Sequence, residues 1–452
     1  MATLIEQLAD YSVHEANSTL RGDVQHHAKR AVLDWFAALY PGTREPVAER
    51  LAQSYADERG TGRSSLPGYG ATALPTTAAW INGTSSHAVE FDDIFKDAIY
   101  HPGVPTISAA LAMGEHIGAS GGEFLRAVVV GYEISTRIGA AVQPSHYHFF
   151  HTTGTIGCFA SAAAAAFLLA PKDRQVMAHA LATAGSFAAG LQQAFRSDSM
   201  TKALHGGHAA SAGITAARAA ASGVTGALDI LEGEVGFGAA MSTNPQWHKV
   251  TEGLGSSYNI TRITQKTHCC CGHTFAAIDA VQLLREQLSQ TERDQVVRIE
   301  VDTYKTALDV TGNYAPVSAY QAKFSMPYVL VQALRYGSVR LEAFCAERLA
   351  EPASLLMMQK VVMNACPELT RQFPLARAAR VRLVLQDGRV LEHFSPFRKG
   401  DPEAPLTDLE LEQKFAELVT PVIGCDATRW LGSQVWKLEE LQLSDLNLVS
   451  LG

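Results

Sequence analysis

The sequence predicts a mainly α-helical fold with an inserted α+β part, and three observations lead to this fold class. Residues 1 to about 260 are rich in Ala, Gly and Leu at helical spacing, without strand-like alternation of useful length. Alternating apolar and polar residues appear in the next stretch, up to residue 398. A linker rich in Gly and Pro then precedes another helical segment. We expect a large all-helical domain over residues 1–261, a smaller α+β domain over 262–398, and a C-terminal segment, 399–452, that returns to the helical domain.

The helical domain is predicted from amphipathic and Ala-rich runs. Leu4, Ile5 and Leu8 share one face of an N-terminal helix. Further helices are predicted over Val24–Tyr40, Ser108–Ile117, Glu123–Ile138, Gly157–Leu169, Arg174–Ala188 and Ala209–Ala221. Their many small residues would let these helices approach one another closely.

The α+β domain is predicted from two alternating segments. Gln295–Tyr304 has the pattern of a half-buried strand, and the runs on either side of Asp387-Gly388 form a predicted hairpin. Helical patterns lie near Pro327–Tyr336 and Pro352–Asn364. Beyond the linker, Thr407 and Glu410 form a capping box that opens a helix through Val419.

Composition narrows the class of protein. With 47% hydrophobic residues in 452, the chain can bury a sizeable core and is not intrinsically disordered. A net charge of −8 argues against nucleic acid or an anionic membrane as a partner. The longest apolar stretch, Cys158–Pro171, is shorter than the roughly 20 residues of a membrane span. Seven cysteines, three of them adjacent, do not form a disulfide framework, so we expect a cytoplasmic protein.

Two clusters of polar residues in the helical domain contain histidines. The first runs from His87 to Asp93 and on to His101, where carboxylates and imidazoles could share a proton, or simply cap a loop. In the second, His151, Thr152 and Thr153 precede an Ala-rich helix, whose N-terminus favours an anion. Plain N-capping by threonine is compatible with that interpretation.

Two further clusters contain lysines. In the segment 196–208, Lys202 and His205 are three residues apart and share a helical face, which suits a carboxylate ligand or a tuned base; a solvated lysine is the alternative. Lys266–His273 includes three adjacent cysteines, which lack the spacers of a metal site, so an acid–base role for His268 or His273 is preferred. Phosphate-loop and hydrolase motifs are absent from the sequence. We expect acid–base chemistry without metal or cofactor.

Taken together and in order, these motifs resemble the MmgE/PrpD family, which includes 2-methylcitrate dehydratases, cis-aconitate decarboxylases and iminodisuccinate epimerases. The matching stretches are His87-Ala-Val-Glu-Phe-Asp-Asp93, His101-Pro-Gly, Gly131-Tyr-Glu133, Phe150-His-Thr-Thr-Gly-Thr-Ile-Gly157, Thr201-Lys-Ala-Leu-His-Gly-Gly207, Lys266 to His273, Ala322-Lys-Phe-Ser325 and Glu412-Gln-Lys-Phe415. They are spread over nearly the whole chain, which makes the resemblance specific.

The resemblance implies an architecture and a site. It implies a helical domain built from both chain ends, an inserted α+β lid and a homodimer that acts on a small anionic di- or tricarboxylate. The implied catalytic residues are His101, His151, Lys202, His273 and Asp92. The implied substrate contacts are Glu90, Thr152, Thr153, His205, Lys266 and Tyr314.

The expected reaction is a water elimination of the 2-methylcitrate type, as in propionate metabolism. His101 and His151 would act as base and acid, in an order left open, while Lys202 holds a carboxylate and His273 completes the site on lid closure. The family's Asp-Phe-Asp-Asp-Thr reads Glu-Phe-Asp-Asp-Ile from Glu90 to Ile94, and the run to His101 is one residue longer than in the decarboxylases. Both departures point away from cis-aconitate decarboxylation. An epimerase, a decarboxylase and a non-catalytic carboxylate-binding protein are the alternatives.

Overall fold

The protein is mainly α-helical with a small α+β part. The computed structural model describes residues 2–197 and 199–451, without the side chains of residues 195 and 196. Asp198, in the third polar cluster, lies outside the described residues. The chain forms two compact units: a helical unit that runs to Thr264 and resumes at Thr407, and an α+β unit over Gln265–Leu406.

The helical unit contains most of the helices. Its α-helices are Leu4–Asn17, Gly22–Gly42, Pro46–Ser54, Pro75–Ala88, Gly103–Ile117, Gly121–Val142, Thr152–Thr155, Gly157–Leu169, Arg174–Ser186, Gln193–Arg196, Thr201–Ala221, Phe237–Met241, His248–Thr251, Asp408–Ile423 and Cys425–Val435. Short 3₁₀ helices span Lys96–Ala98, Ser145–His148, Asn259–Arg262, Leu438–Glu440, Leu443–Leu446 and Leu448–Leu451. The helix predicted to begin at Ala209 begins at Thr201, so Lys202 and His205 lie in its first two turns.

The expectation that this unit is all-helical is wrong at one place. Ser64–Leu66 and Ala71–Ala73 pair as a two-stranded antiparallel sheet. Strands of three residues are too short to leave an alternating pattern, which explains why the sequence did not reveal them.

Close approach of helices positions the polar clusters. Gly83 and Gly207 face each other where the Pro75–Ala88 and Thr201–Ala221 helices meet, and a Cβ at Gly207 would lie 2.2 Å from the Trp80 carbonyl oxygen. Only glycine fits there, so the end of the first helix is brought beside the beginning of the second.

Among the described residues, one stretch, Thr152–Leu169, is apolar and long enough to cross a membrane by length and composition. In the structure, 94% of it is buried. It therefore forms part of the core of the helical unit.

The C-terminal segment packs into this unit through a buried ion pair. Thr407 caps the Asp408–Ile423 helix in a complete capping box, as predicted. Lys414 Nζ donates to Asp34 Oδ1 at 2.6 Å and to the Phe91 carbonyl oxygen at 2.9 Å. Lys414 thereby supports the loop that carries the first polar cluster.

The α+β unit is built on a four-stranded sheet. The strand order is Val361–Ala365, Val296–Thr303, Ala379–Leu385 and Val390–Ser395, with a parallel first pair and antiparallel pairs after it. Its α-helices are Phe275–Glu286, Gln290–Asp294, Lys305–Thr311, Ala319–Lys323, Met326–Tyr336, Ala346–Leu349, Pro352–Met358 and Pro367–Gln372, and Leu341–Phe344 is a 3₁₀ helix. The hairpin turns at Gly388, whose φ of 88° is typical of glycine.

One predicted helix of this unit is partly wrong. The helical pattern over Pro352–Asn364 ends at Met358, and Val361–Ala365 forms an edge strand instead. Its two valines favour a strand, and the neighbouring Val296–Thr303 strand supplies the hydrogen bonds.

Candidate active site

Asp93 fixes the loop that carries the first polar cluster. Its carboxylate accepts hydrogen bonds from the Tyr132 hydroxyl at 2.7 Å and the Gly103 backbone N–H at 3.0 Å. Burial raises the pKa of Asp93 to about 7, although the hydrogen bond from Tyr132 opposes this. Asp93 therefore holds the loop in place and is fully enclosed by the fold.

Asp92, in contrast, serves two imidazoles. Its Oδ2 atom lies 2.8 Å from Nδ1 of His87 and 2.9 Å from Nδ1 of His101. His101 Nδ1 is also 2.8 Å from the Asp93 carbonyl oxygen, which can only accept a hydrogen bond. His101 Nδ1 therefore carries a proton, and whenever the ring is neutral its lone pair lies on Nε2. This is the tautomer that a base acting through Nε2 requires.

A second pair of imidazoles lies beside the first. The His87 ring stacks on that of His151 with centroids 5.5 Å apart, and His151 Nδ1 lies 2.9 Å from His205 Nδ1. Burial, and then the neighbouring His87 and Lys202, lower the pKa of His151 well below its usual value. The pKa of His205 falls to about 4, mainly through burial. Both rings are neutral at pH 7, so one Nδ1 donates to the other.

The predicted threonine contacts are engaged with the chain. Thr153 Oγ1 accepts from the His101 backbone N–H at 3.3 Å, and Thr152 Oγ1 accepts from the Gln143 amide at 3.1 Å. These bonds connect the segment after His151 to His101. Substrate binding by the two threonines stays a prediction.

Lys202 forms an ion pair with Glu90, and both side chains are buried. Glu90 has a φ of 59°, in the left-handed region that is costly for a residue with a Cβ. The turn at Glu90 directs its carboxylate to a lysine 112 residues further along the chain. The charge that we expected to hold a substrate carboxylate is thus already balanced by a protein carboxylate.

His87, Asp92 and His101 are also a set that could hold a divalent metal. Their ligand-type atoms lie within 4.8 Å of one another, and two imidazoles with a carboxylate suit zinc. A metal bound through the Nδ1 atoms would have to replace the protons that they donate to Asp92 and Asp93. The hydrogen bonds already account for this arrangement.

The α+β unit holds a separate cluster around His273. Its Nδ1 lies 2.6 Å from the Tyr304 hydroxyl. Burial lowers the pKa of His273 well below its usual value, and the charges of Arg377 and Arg398 act in the same direction. The buried Arg398 is paired with Asp401. His273 is therefore a neutral imidazole in a cationic environment.

Three other residues of this unit that the sequence analysis named, Tyr314, His268 and Lys266, have different surroundings. Tyr314 is partly exposed, and its hydroxyl donates to the Val361 carbonyl oxygen at 3.0 Å. Tyr304, which the sequence analysis did not select, is the tyrosine that hydrogen-bonds His273. His268 is paired with Asp279 at 2.9 Å, and Lys266 is 1% exposed. The position of Tyr304 directly after a strand was the signal that could have identified it.

A cavity of about 350 Å³ in the α+β unit lies elsewhere. It is lined by side chains that include Asp302, Cys366, Arg380 and Phe394. None of the predicted site residues lines it, so it does not compete with the histidine clusters as a candidate active site.

Comparison with known proteins covers nearly the whole chain. The model of the MmgE/PrpD N-terminal domain matches residues 6–250, and that of the C-terminal domain matches residues 268–439.

Three relatives illustrate the similarity. A cis-aconitate decarboxylase-like protein of Aspergillus oryzae is 28% identical over 459 residues, which cover 96% of this chain and 94% of the relative. The human cis-aconitate decarboxylase is 27% identical, over 93% of this chain and 88% of its own. The Aspergillus terreus enzyme of that name is 26% identical, over 97% and 92%. The resemblance inferred from the motifs is confirmed: this chain belongs to the MmgE/PrpD family.

Proposed function

We propose that this protein is a lyase that removes CO₂ from a small tricarboxylate of the cis-aconitate type, without a cofactor. Full-length similarity to proteins named cis-aconitate decarboxylases supports this reaction above the water elimination expected from the sequence. The structural observation that carries the proposal is the set of His101, His151, Lys202 and Asp92 in the helical unit, in which His101 is 15% exposed and the other three are buried.

Decarboxylation of cis-aconitate needs one proton donor and cations. The bond to the carboxylate on the saturated carbon breaks, and its electron pair forms a new double bond. The original double bond then takes up a proton at its far carbon, so each turnover consumes one proton. His101 is the candidate donor, because Asp92 beside it favours the protonated imidazole. Lys202 would hold a remaining carboxylate by exchanging Glu90 for the substrate.

Water elimination is the second candidate, and the tautomer of His101 favours it. A neutral His101 presents its lone pair on Nε2 and could abstract a proton next to a carboxylate. Loss of the hydroxyl group would then require a separate acid, for which His151, paired with His205, is the candidate. The two reactions use the same residues and differ in whether His101 begins as acid or as base.

A substrate panel in D₂O separates the candidates. Purified protein is incubated with cis-aconitate, 2-methylcitrate, citrate and iminodisuccinate, and followed by proton NMR and CO₂ release. We expect CO₂ from cis-aconitate and a dicarboxylate product that carries one deuterium.

The other outcomes contradict decarboxylation in distinct ways. An unsaturated product without CO₂ identifies water elimination, and deuterium exchange without a new double bond identifies epimerisation. Saturable binding without turnover or exchange identifies a non-catalytic carboxylate-binding protein.

A further inference from the structure

His87 occupies a central position that neither the motifs nor the proposed reaction assigns to it. It lies in the last turn of the Pro75–Ala88 helix, and its side chain is fully buried. Its ring contacts those of His101, at a centroid distance of 5.0 Å, and of His151, at 5.5 Å. Its Nδ1 atom lies 2.8 Å from Asp92. His87 thus touches the candidate carboxylate and both candidate acid–base imidazoles.

The hydrogen-bonding pattern determines what His87 contributes. An ionised Asp92 can only accept, so His87 donates from Nδ1 to the same oxygen that His101 approaches. The two imidazoles share the negative charge of one carboxylate. Asp92 is also held in place by His87, so the orientation and tautomer of His101 depend on both residues.

The opposite edge of the His87 ring, at Nε2, has different surroundings from the Nδ1 edge. His87 Nε2 is buried and makes no hydrogen bond with any residue of the described chain. An unsatisfied buried polar atom costs stability, which a phenylalanine of similar shape would avoid. A residue retained only for packing would not need the imidazole.

We propose that His87 is a positioning residue: it donates to Asp92, divides the charge of that carboxylate between two imidazoles, and so sets the proton affinity and orientation of His101. The proposal rests on the proposed function only where turnover is the readout. His87 is not assigned a contact with substrate.

The charged and titratable groups around this arrangement come from several elements. They are Asp93 on the same loop, His151 and His205, the Lys202–Glu90 pair and the Asp34–Lys414 pair. Asp34 and Asp93 interact electrostatically with Asp92, and Lys202 and His205 interact with His151. The His87 and His146 variants leave these charged and titratable groups unchanged.

Two substitutions separate the hydrogen bond from the ring. His87→Asn keeps a donor, because the asparagine amide nitrogen occupies nearly the place of Nδ1. His87→Phe keeps a stacked ring but has no donor. In His87→Phe the whole Asp92 charge acts on His101, which favours the protonated imidazole.

With His101 as the proton donor, we expect His87→Phe to move the alkaline limb of the kcat/KM pH profile, where His101 loses its proton, up by about half to one pH unit, the size of one lost hydrogen bond. The value of kcat should fall about ten- to a hundred-fold, with KM within about twofold of wild type. In His87→Asn the alkaline limb should stay at the wild-type pH.

The matched control is His146→Gln. His146 is also fully buried and makes two hydrogen bonds, to Met241 and Thr155, and its hydrogen bonds and ring contacts within the described chain involve neither Asp92 nor His101. Loss of a buried imidazole alone should not move the alkaline limb. An equal shift in this control would overturn the proposal, as would equal shifts in His87→Asn and His87→Phe, or none in His87→Phe.

A second readout does not depend on the substrate. The Cε1 proton of His101 is titrated by NMR in ligand-free protein with labelled histidine. We expect its midpoint to rise in His87→Phe and to stay unchanged in His87→Asn; an unchanged midpoint in His87→Phe refutes the positioning role. Absence of turnover with every tricarboxylate would refute the proposed function alone, since this titration still decides the role of His87.

Discussion

Glu90 and Lys202 form a buried ion pair within the site, so each residue is needed to neutralise the other. Removal of one partner leaves an uncompensated charge in a region of low dielectric, whereas removal of both leaves none. The single and double variants should therefore differ in their free energy of unfolding, whereas both should have reduced turnover.

Lys202→Met should lower the free energy of unfolding by about 3–5 kcal/mol and turnover by at least about 100-fold. The double variant Glu90→Gln/Lys202→Met should recover most of the stability but not the turnover. Urea unfolding and steady-state kinetics measure both quantities. Arg21→Met is the control, because the Arg21–Asp23 pair is exposed and should leave both unchanged. Recovery of turnover in the double variant would remove Lys202 from the mechanism.

The two tyrosines of the α+β unit give a second prediction. Tyr304→Phe removes the hydroxyl that lies 2.6 Å from His273 and should reduce turnover about tenfold or more, since the imidazole loses its hydrogen bond. Tyr314→Phe removes only a bond to the Val361 carbonyl oxygen and should have a smaller effect. Kinetics of both variants on the substrate identified by the panel test this. The reverse order would restore Tyr314 as the substrate contact.

The sequence identified most of the candidate residues but not their partners. His101 and Asp92 share one loop, so their proximity could be expected from spacing. The pairing of Glu90 with Lys202 could not, because it depends on a left-handed turn at Glu90 and on the packing of two helices. His87 was placed in the first cluster but given no role, because its contacts with the His101 and His151 rings depend on the fold and not on local spacing.

At the scale of elements, the contact between the Pro75–Ala88 and Thr201–Ala221 helices brings His87 near Gly206 and His205. Gly207→Ala would place a methyl group 2.2 Å from the Trp80 carbonyl oxygen and force the helices apart. We expect a loss of about 1–3 kcal/mol in unfolding free energy, with reduced turnover. Gly22→Ala is the matched control, since nothing lies within 4 Å of the added group. Equal stability of the two alanine variants in urea would contradict this packing argument.

The predictability of elements follows from their length and their neighbours. Most of the long helices, though not Pro75–Ala88, and the Asp387-Gly388 hairpin were predicted because periodicity and turn chemistry act locally. Val361–Ala365 was assigned to a helix because its strand conformation depends on pairing with residues about 60 positions earlier. Such pairing leaves little trace in a single segment.

At the scale of the whole molecule, buried neutral imidazoles make stability depend on pH. Burial lowers the pKa of His146 from its usual value of 6.5 to about 4. Its contribution is therefore fully present above pH 6.5 and is lost as the pH falls toward 4, because the unfolded chain takes up the proton first. Buried carboxyls with raised pKa, such as Glu133 at about 7, act in the opposite direction.

A comparison of wild type with His146→Gln isolates the contribution of His146 to the pH dependence of stability. Between pH 7.5 and 4.5, the free energy of unfolding of wild type should fall by up to about 3 kcal/mol more than that of His146→Gln. The contributions of the carboxyl groups are the same in both proteins and cancel in the difference. Urea unfolding at several pH values measures it. A difference that is constant with pH would show that His146 does not titrate as its burial implies.

The Lys414–Asp34 pair has a consequence for synthesis on the ribosome. The two residues are 380 positions apart, and chains elongate at about 5–20 residues per second. Asp34 and the apolar side of its helix must therefore wait roughly 20–80 s for their partner to be translated. During that interval the nascent helical unit exposes surface that a chaperone could bind, and a stalled or truncated product would keep it exposed.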